Sequence, residues 1–135
     1  MITNSLIGRV KKHEGLRLKM YKCTAGKNTI GYGRNLDDNG ISADEAELML
    51  KHDLENAEVD ARRFKVYEKL NQNRKDILIE MVFNLGYARL CGFKKMFSAL
   101  ELGDYDTAAN EMLDSKWARD VGERARTLAY FMRVG

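Results

Sequence analysis

The first apolar positions of the chain repeat with a helical spacing. Ile2, Leu6 and Val10 lie four residues apart, so they would share one face of a helix that spans roughly residues 3–14, with Ile2 at its start. Gly15 follows directly, and glycine is common just beyond a helix C-terminus because it adopts positive φ without strain. The pattern predicts a first helix that ends before Gly15.

The spacing then changes to the two-residue repeat of a half-buried strand. Leu16, Leu18 and Met20 alternate with charged residues and a tyrosine. Residues 24–27 have the composition of a turn, and residues 29–33 that of a return strand. The glycines of the return strand indicate bulges or close approach of a ligand to the backbone. We therefore expect a β-hairpin after the first helix.

Helical patterns return after a turn at residues 37–40. Ser42 and Glu45 form a capping-box sequence, which predicts a helix that runs to about residue 61. Asn71 caps a helix that is apolar on nearly every side, as expected for a core helix. Shorter helices are expected near residues 93–102, 105–114 and 123–133.

This order of elements predicts an α+β fold in one domain spanning residues 1–135. A small sheet-bearing lobe would cover about residues 15–60, and a larger helical lobe would combine residues 1–14 with residues 61–135. The long helix ending near residue 61 would join the lobes. A cleft between two such lobes is a natural substrate site.

Composition and charge narrow the possible functions. The chain has 135 residues, of which 44% are hydrophobic and 32% charged, as in ordinary globular domains. It shows no apolar run of membrane-spanning length and no leader-like N-terminus, so we expect a protein that is cytoplasmic as made. The net charge of +3 is segregated: residues 1–36 carry eight Lys/Arg against Glu14, and residues 37–60 carry nine acids against one Lys. The basic segment would suit an anionic polymer, or the charges balance on folding.

The cysteines and histidines do not have metal-site spacing. Cys23 and Cys91 are 68 residues apart, and His13 and His52 have no partners at a ligating offset. We expect no metal, no cofactor and reduced thiols, with Cys91 serving packing.

One segment combines residue types that can perform chemistry. Glu14 is the only acid among residues 1–36, and it would sit at the end of the first helix, where the helix dipole favours a protonated carboxyl. Eight residues separate Glu14 from Cys23, and five separate Cys23 from Thr29. A helix terminus followed by a hairpin can bring all three side chains to one wall of a cleft.

The spacing of Glu14, Cys23 and Thr29, within the sequence EGLRLKMYKCTAGKNTIGYG, resembles the phage-type (T4-like) lysozymes, the endolysin family. The resemblance covers almost the whole chain, continuing at Met81–Gly86, Gly92–Phe93, Ala108–Ala109, Ser115–Trp117 and Arg124–Ala125. It implies a lysozyme-like fold with a small β-hairpin lobe and a larger helical lobe.

The resemblance also implies the reaction. Glycan strands of bacterial peptidoglycan would be cut at the β-1,4 bond between N-acetylmuramic acid and N-acetylglucosamine. Glu14 would protonate the leaving oxygen, and Cys23 and Thr29 would hold the water that attacks the opposite face.

Three further side chains would bind substrate or support the site: Arg124, Phe83 and Tyr32. Of these, Arg124 matches the family's arginine that pairs with the catalytic glutamate. Trp117 is expected in the core.

The chain departs from the family pattern at three places. Cys23 occupies the position of an aspartate base, and because a thiol is a poor base but a good nucleophile, a retaining route stays open beside inversion. Arg34 and Asp53 replace a His–Asp pair, and we predict a structural salt bridge between them. The segment between Leu36 and Ile41 is short, so one cleft wall of the small lobe would be cut back.

The leading interpretation is a monomeric, metal-free muramidase that serves host lysis after release through a holin-like membrane lesion. Other functions stay open beside it. The chain could be a non-catalytic peptidoglycan-binding module. A lytic transglycosylase would use Glu14 alone and leave an anhydro sugar. A nucleic-acid-binding protein is disfavoured, because the basic residues are scattered among acids and apolar positions.

Overall fold

The computed structural model describes all 135 residues, which divide into two compact units, Met1–Leu48 and Met49–Gly135. The helices are α1 (Asn4–Glu14), α2 (Leu36–Asn39), α3 (Ala43–Ala61), α4 (Gln72–Leu85), α5 (Tyr87–Leu90), α6 (Lys94–Glu101), α7 (Tyr105–Leu113), α8 (Lys116–Val121) and α9 (Glu123–Val134). A 3-10 turn at Tyr67–Lys69 precedes α4, and the strands are β1 (Arg17–Lys22), β2 (Asn28–Gly31) and β3 (Arg34–Asn35). No helix has both the length and the apolar character needed to cross a membrane. The α+β, lysozyme-like fold class expected from the sequence is confirmed.

The first unit is built on local signals. The Thr3 hydroxyl accepts a hydrogen bond from the N–H of Leu6 at 3.1 Å and begins α1, while Gly15, with φ +72°, ends it. The three strands form an antiparallel sheet in the order β1-β2-β3, in which Tyr21 lies opposite Thr29. The first helix and the hairpin are therefore where the sequence predicts them, α2 replaces the turn expected at residues 37–40, and β3 was not predicted.

Burial in the first unit differs from the expectation. No residue of α1 is buried, so Leu6 and Val10 form no buried face. The alternation along β1 predicted a half-buried strand, but Leu18 is 79% exposed. Within this unit α2 packs against β2 and β3. The spacing of the apolar residues thus predicted which elements form, but it did not predict whether their apolar faces are buried.

The two compact units also group the residues differently from the expected lobes. α1 belongs to the first unit with the sheet, whereas the sequence grouped residues 1–14 with the helices. The boundary between the units falls inside α3, after Leu48, and not near residue 61.

The second unit contains the hydrophobic core. Asn71 caps α4 by accepting the N–H of Arg74 at 2.9 Å. The predicted core helix is confirmed, since α4 buries a continuous set of apolar side chains: Ile77, Leu78, Met81, Val82 and Leu85. Trp117 is only 6% exposed, and its indole N–H donates to Asn84 Oδ1 at 2.6 Å. The short helices α5 and α8 were not predicted.

Candidate active site

Glu14 is the last residue of α1, as the sequence predicts. Its carboxylate packs against the backbone of Gly33, in the two-residue turn between β2 and β3. No ion pair within the first unit engages this carboxylate. The position of Glu14 is therefore set by the end of the helix and by the glycine turn.

Cys23 and Thr29 lie at the β1–β2 turn. The N–H of Cys23 donates to the carbonyl of Lys27 at 2.9 Å, and the N–H of Gly26 donates to the carbonyl of Cys23 at 2.8 Å, which closes the turn. The Thr29 hydroxyl donates to the same Lys27 carbonyl at 2.9 Å. At 3% exposure, Thr29 is the one buried polar residue of the chain.

The thiol of Cys23 is polarised by this turn. Hydrogen bonds from the backbone N–H groups of Lys27 and then of Ala25 lower the pKa of Cys23 below its ordinary value, the Thr29 side chain adds to the effect, and partial desolvation opposes it. Cys23 therefore has a larger thiolate fraction at neutral pH than an ordinary cysteine. The effect of the Thr29 side chain on the pKa of Cys23 indicates that the thiol and the hydroxyl lie near each other at this turn.

Arg34 does not form the predicted salt bridge with Asp53; that prediction is wrong. Its two terminal nitrogens bind the two carboxylate oxygens of Glu45, at 2.8 Å from Nη1 to Oε1 and 2.6 Å from Nη2 to Oε2. Nη1 also donates to the carbonyl of Gly40 at 3.1 Å. A paired guanidinium–carboxylate contact of this kind fixes both side chains more firmly than a single bond.

The capping box of α3 explains why Glu45 is the partner. The N–H of Ser42 donates to Glu45 Oε1 at 2.8 Å, and the N–H of Glu45 donates to the Ser42 hydroxyl at 3.1 Å. This arrangement holds the carboxylate at the start of the helix, where Arg34 reaches it. The hydrogen bonds from Arg34, followed by that from Ser42, lower the pKa of Glu45 to about 2.

Arg124 forms its ion pair within the second unit. Its Nε donates to Glu80 Oε2 at 2.9 Å. The family resemblance pairs this arginine with Glu14, so the structure gives Arg124 a partner that the sequence did not predict.

The two candidate aromatic contacts are partly exposed on different units. Tyr32, in the β2–β3 turn, is 41% exposed, and the Lys11 ammonium lies 5.4 Å from the centre of its ring. Phe83, on α4, is 42% exposed although its helix is mostly buried. Each ring therefore leaves an accessible apolar surface.

Side chains that could bind a metal are not gathered into a cluster of three or more. Both cysteines are free. Cys91 is exposed, so its predicted packing role is wrong. It lies beside Tyr87, whose pKa is raised by the contact with the Cys91 side chain.

Sequence reasoning missed two residues of this region. Glu45 was read only as a capping residue, and nothing in its local pattern marks it as the partner of Arg34. Gly33 was noted among glycines that a ligand would approach, whereas the group that approaches it is the carboxylate of Glu14. The available signal was the Gly-Tyr-Gly sequence, which marks a tight turn but not its neighbour.

The comparisons with known proteins identify the family of this chain. The family model described as phage lysozyme matches residues 11–130. An endolysin of Acyrthosiphon pisum secondary endosymbiont phage 1 is 36% identical over 123 residues, covering 87% of this chain and 80% of the relative. The endolysin of Salmonella phage P22 is 36% identical over 120 residues, covering 83% and 81%. A probable T4-type lysozyme of Dictyostelium discoideum is 27% identical, covering 99% and 96%. The chain therefore belongs to the phage lysozyme family.

Proposed function

We propose that this chain is a muramidase that hydrolyses the β-1,4 bond between N-acetylmuramic acid and N-acetylglucosamine in bacterial peptidoglycan. Membership in the phage lysozyme family supports a glycoside hydrolase of this kind. The observation that carries the assignment of residues is local: a carboxyl at the end of α1 rests on the β2–β3 turn, and at the β1–β2 turn a buried hydroxyl lies near a thiol whose pKa is lowered.

Glu14 acts as the general acid in this proposal. It donates its proton to the glycosidic oxygen as the bond from that oxygen to the anomeric carbon breaks. No ion pair within the first unit engages this carboxyl. After the reaction, solvent returns a proton to Glu14.

Cys23 and Thr29 position the attacking water. The Thr29 hydroxyl accepts a hydrogen bond from the water, and the Cys23 thiolate removes a proton as the oxygen bonds to the anomeric carbon. The lowered pKa of Cys23 supports this role, because only the thiolate can accept that proton. Attack from the face opposite the leaving oxygen inverts the anomeric carbon, so the first product from a β-linked strand is the α anomer.

Partly exposed side chains supply the substrate contacts. Tyr32 and Phe83 offer aromatic faces to the apolar side of sugar rings. Arg124 supports the contact made by Phe83 through its ion pair with Glu80, which lies one helical turn before Phe83 on α4. The partner is therefore an extended glycan strand.

Delivery depends on another factor in this proposal. The enzyme works as a monomer and serves host lysis, and it reaches the wall through a lesion that a holin-like protein opens in the membrane. Light scattering on the pure protein tests the monomeric state.

The test of the function is product analysis of purified peptidoglycan. Glu14→Gln should lower the rate of hydrolysis by about 10²–10⁴ without loss of helical circular dichroism. Glu47→Gln, which neutralises an exposed acid of α3, should leave the rate unchanged. Products with a reducing N-acetylmuramic acid indicate hydrolysis, whereas anhydro sugars indicate a transglycosylase.

Failure of both the native chain and Glu14→Gln to clear wall suspensions would leave only a wall-binding module. NMR of the first product distinguishes inversion from retention. Cys23→Asp should keep activity, since it places a carboxylate base at the same position, and Cys23→Ala should lose most of it. A β anomer as first product would replace the water-positioning role of Cys23 with a nucleophilic one.

A further inference from the structure

Gly33 makes an unusually close approach to the proposed general acid. A β-carbon on Gly33 would lie 2.6 Å from Oε2 of Glu14, 3.0 Å from its Cδ and 3.3 Å from its Cγ. Because a non-bonded heavy atom is almost never found within 3.0 Å of a β-carbon, the Glu14 carboxylate, which is the far end of a flexible side chain, would have to move aside for any other residue at position 33.

The other glycines of the first unit show that this contact is specific. Gly8, Gly15, Gly26, Gly31 and Gly40 have no heavy atom within 4 Å of a β-carbon built on them. Gly31 is the informative comparison, since it lies two residues before Gly33 and has φ +70°, against φ +79° at Gly33. Both positions require glycine because of their positive φ. Only at Gly33 does the absence of a β-carbon also leave room for the side chain of another residue, Glu14.

We propose that Gly33 is a positioning residue for the reaction. Because glycine has no side chain, the Glu14 carboxylate can rest directly against the backbone at position 33. This inference depends on the proposed role of Glu14 as the acid. No ion pair within the first unit holds that carboxylate, so contact with the turn limits its orientation. Gly33 thereby sets the direction in which Glu14 presents its proton.

The expected effect follows from the distances. To return from 2.6 Å to the ordinary contact distance of 3.4 Å, the carboxylate would have to move by roughly 0.8 Å. A displacement of about 1 Å in a catalytic group can lower the rate by about 10²-fold. Gly33→Ala should therefore reduce kcat by about 100-fold while changing KM by no more than about 3-fold.

The matched control is Gly31→Ala. It introduces the same methyl group at a similar positive φ in the same hairpin, but with nothing to collide with. It should keep kcat within about 5-fold of the native value, since backbone strain alone does not displace Glu14. Equal losses of kcat in the two variants would overturn the inference.

A stability cycle tests the contact without relying on activity. If the new methyl group collides with the carboxylate, Gly33→Ala should lose more melting temperature than Gly31→Ala, and Glu14→Ala should recover that excess while recovering none of the loss in Gly31→Ala. Failure of Glu14→Ala to recover it would also overturn the inference, even if Gly33→Ala is too unstable for kinetics.

A conservative change sharpens the kinetic test. In the Glu14→Asp background the carboxylate is shorter by one methylene, so Gly33→Ala should cost far less than 100-fold in kcat. The two proposals fail in different ways: full hydrolysis by Glu14→Gln would remove the assigned acid, whereas the stability cycle would still report the contact.

Discussion

The two compact units differ in what holds them together. In Met1–Leu48 a single residue, Thr29, is buried, whereas every buried hydrophobic side chain of the protein lies in Met49–Gly135. The first unit instead has a set of polar contacts, including the Arg34–Glu45 pair and the hydrogen bonds from Asn28 to Asp37 at 2.8 and 3.2 Å. The proposed acid, thiol and hydroxyl all belong to this polar unit.

The difference teaches where chemistry and stability reside in this chain. Hydrophobic burial contributes most of the free energy of folding, so the second unit is the stable one. Solvent-exposed hydrogen bonds and ion pairs contribute little stability, but they orient side chains. The first unit is thus suited to positioning groups rather than to resisting unfolding.

The largest effect is expected from a core substitution in the second unit. Leu78 is fully buried, so Leu78→Ala should lower the free energy of unfolding by about 2–5 kcal/mol. Leu18, at 79% exposure in β1, is the matched leucine of the first unit. Leu18→Ala should change the free energy of unfolding by about 0.5 kcal/mol or less. Urea denaturation followed by circular dichroism measures both. Similar losses would contradict the contrast between the units.

A smaller effect is expected from the ion pair of the first unit. Because the pKa of Glu45 is lowered from 4.5 to about 2, the folded chain binds this proton more weakly than the unfolded chain does. The stabilisation that the ionised Glu45 gives to the folded chain is therefore complete above pH 4.5, and it is lost as the pH falls through about 2. Glu45→Gln should remove this pH dependence and speed amide exchange in β2 and β3 selectively.

Glu47→Gln is the control for this experiment, since it removes an exposed acid two residues further along α3. Amide exchange followed by NMR between pH 6 and pH 3 resolves the two units separately. Uniform acceleration across both units by Glu45→Gln would argue against a local role.

The smallest effect concerns the reactivity of the site thiol. Since the turn lowers the pKa of Cys23, the rate of its alkylation by iodoacetamide should reach half of its maximum at a lower pH than for free cysteine. Thr29→Val removes the contribution of the Thr29 side chain to the lowered pKa of Cys23 and should raise that pH slightly. Mass spectrometry distinguishes Cys23 from the exposed Cys91 in the same sample. A pH profile like that of free cysteine would contradict the polarising turn.

Much of the candidate site was predictable because its three main residues are close in sequence. Glu14, Cys23 and Thr29 fall within sixteen consecutive residues, and a helix end followed by a hairpin constrains where such residues lie. The partners of Arg34 and Arg124 were not predictable in the same way. In a folded chain, several acidic residues could come close enough to pair with each arginine. Which of them does so depends on how the separate elements pack.

Local signals along the chain specify the helices and strands of this protein. Threonine, serine and asparagine caps, glycine stops and the period of the apolar residues act over a few neighbouring residues, so α1, the hairpin, α3 and α4 follow from them. Only the tertiary structure decided that Glu45 binds Arg34, that Gly33 receives the Glu14 carboxylate and that the apolar residues of α1 remain unburied. These outcomes depend on distances between separate elements, and a pattern along one element contains no information about the element that packs against it.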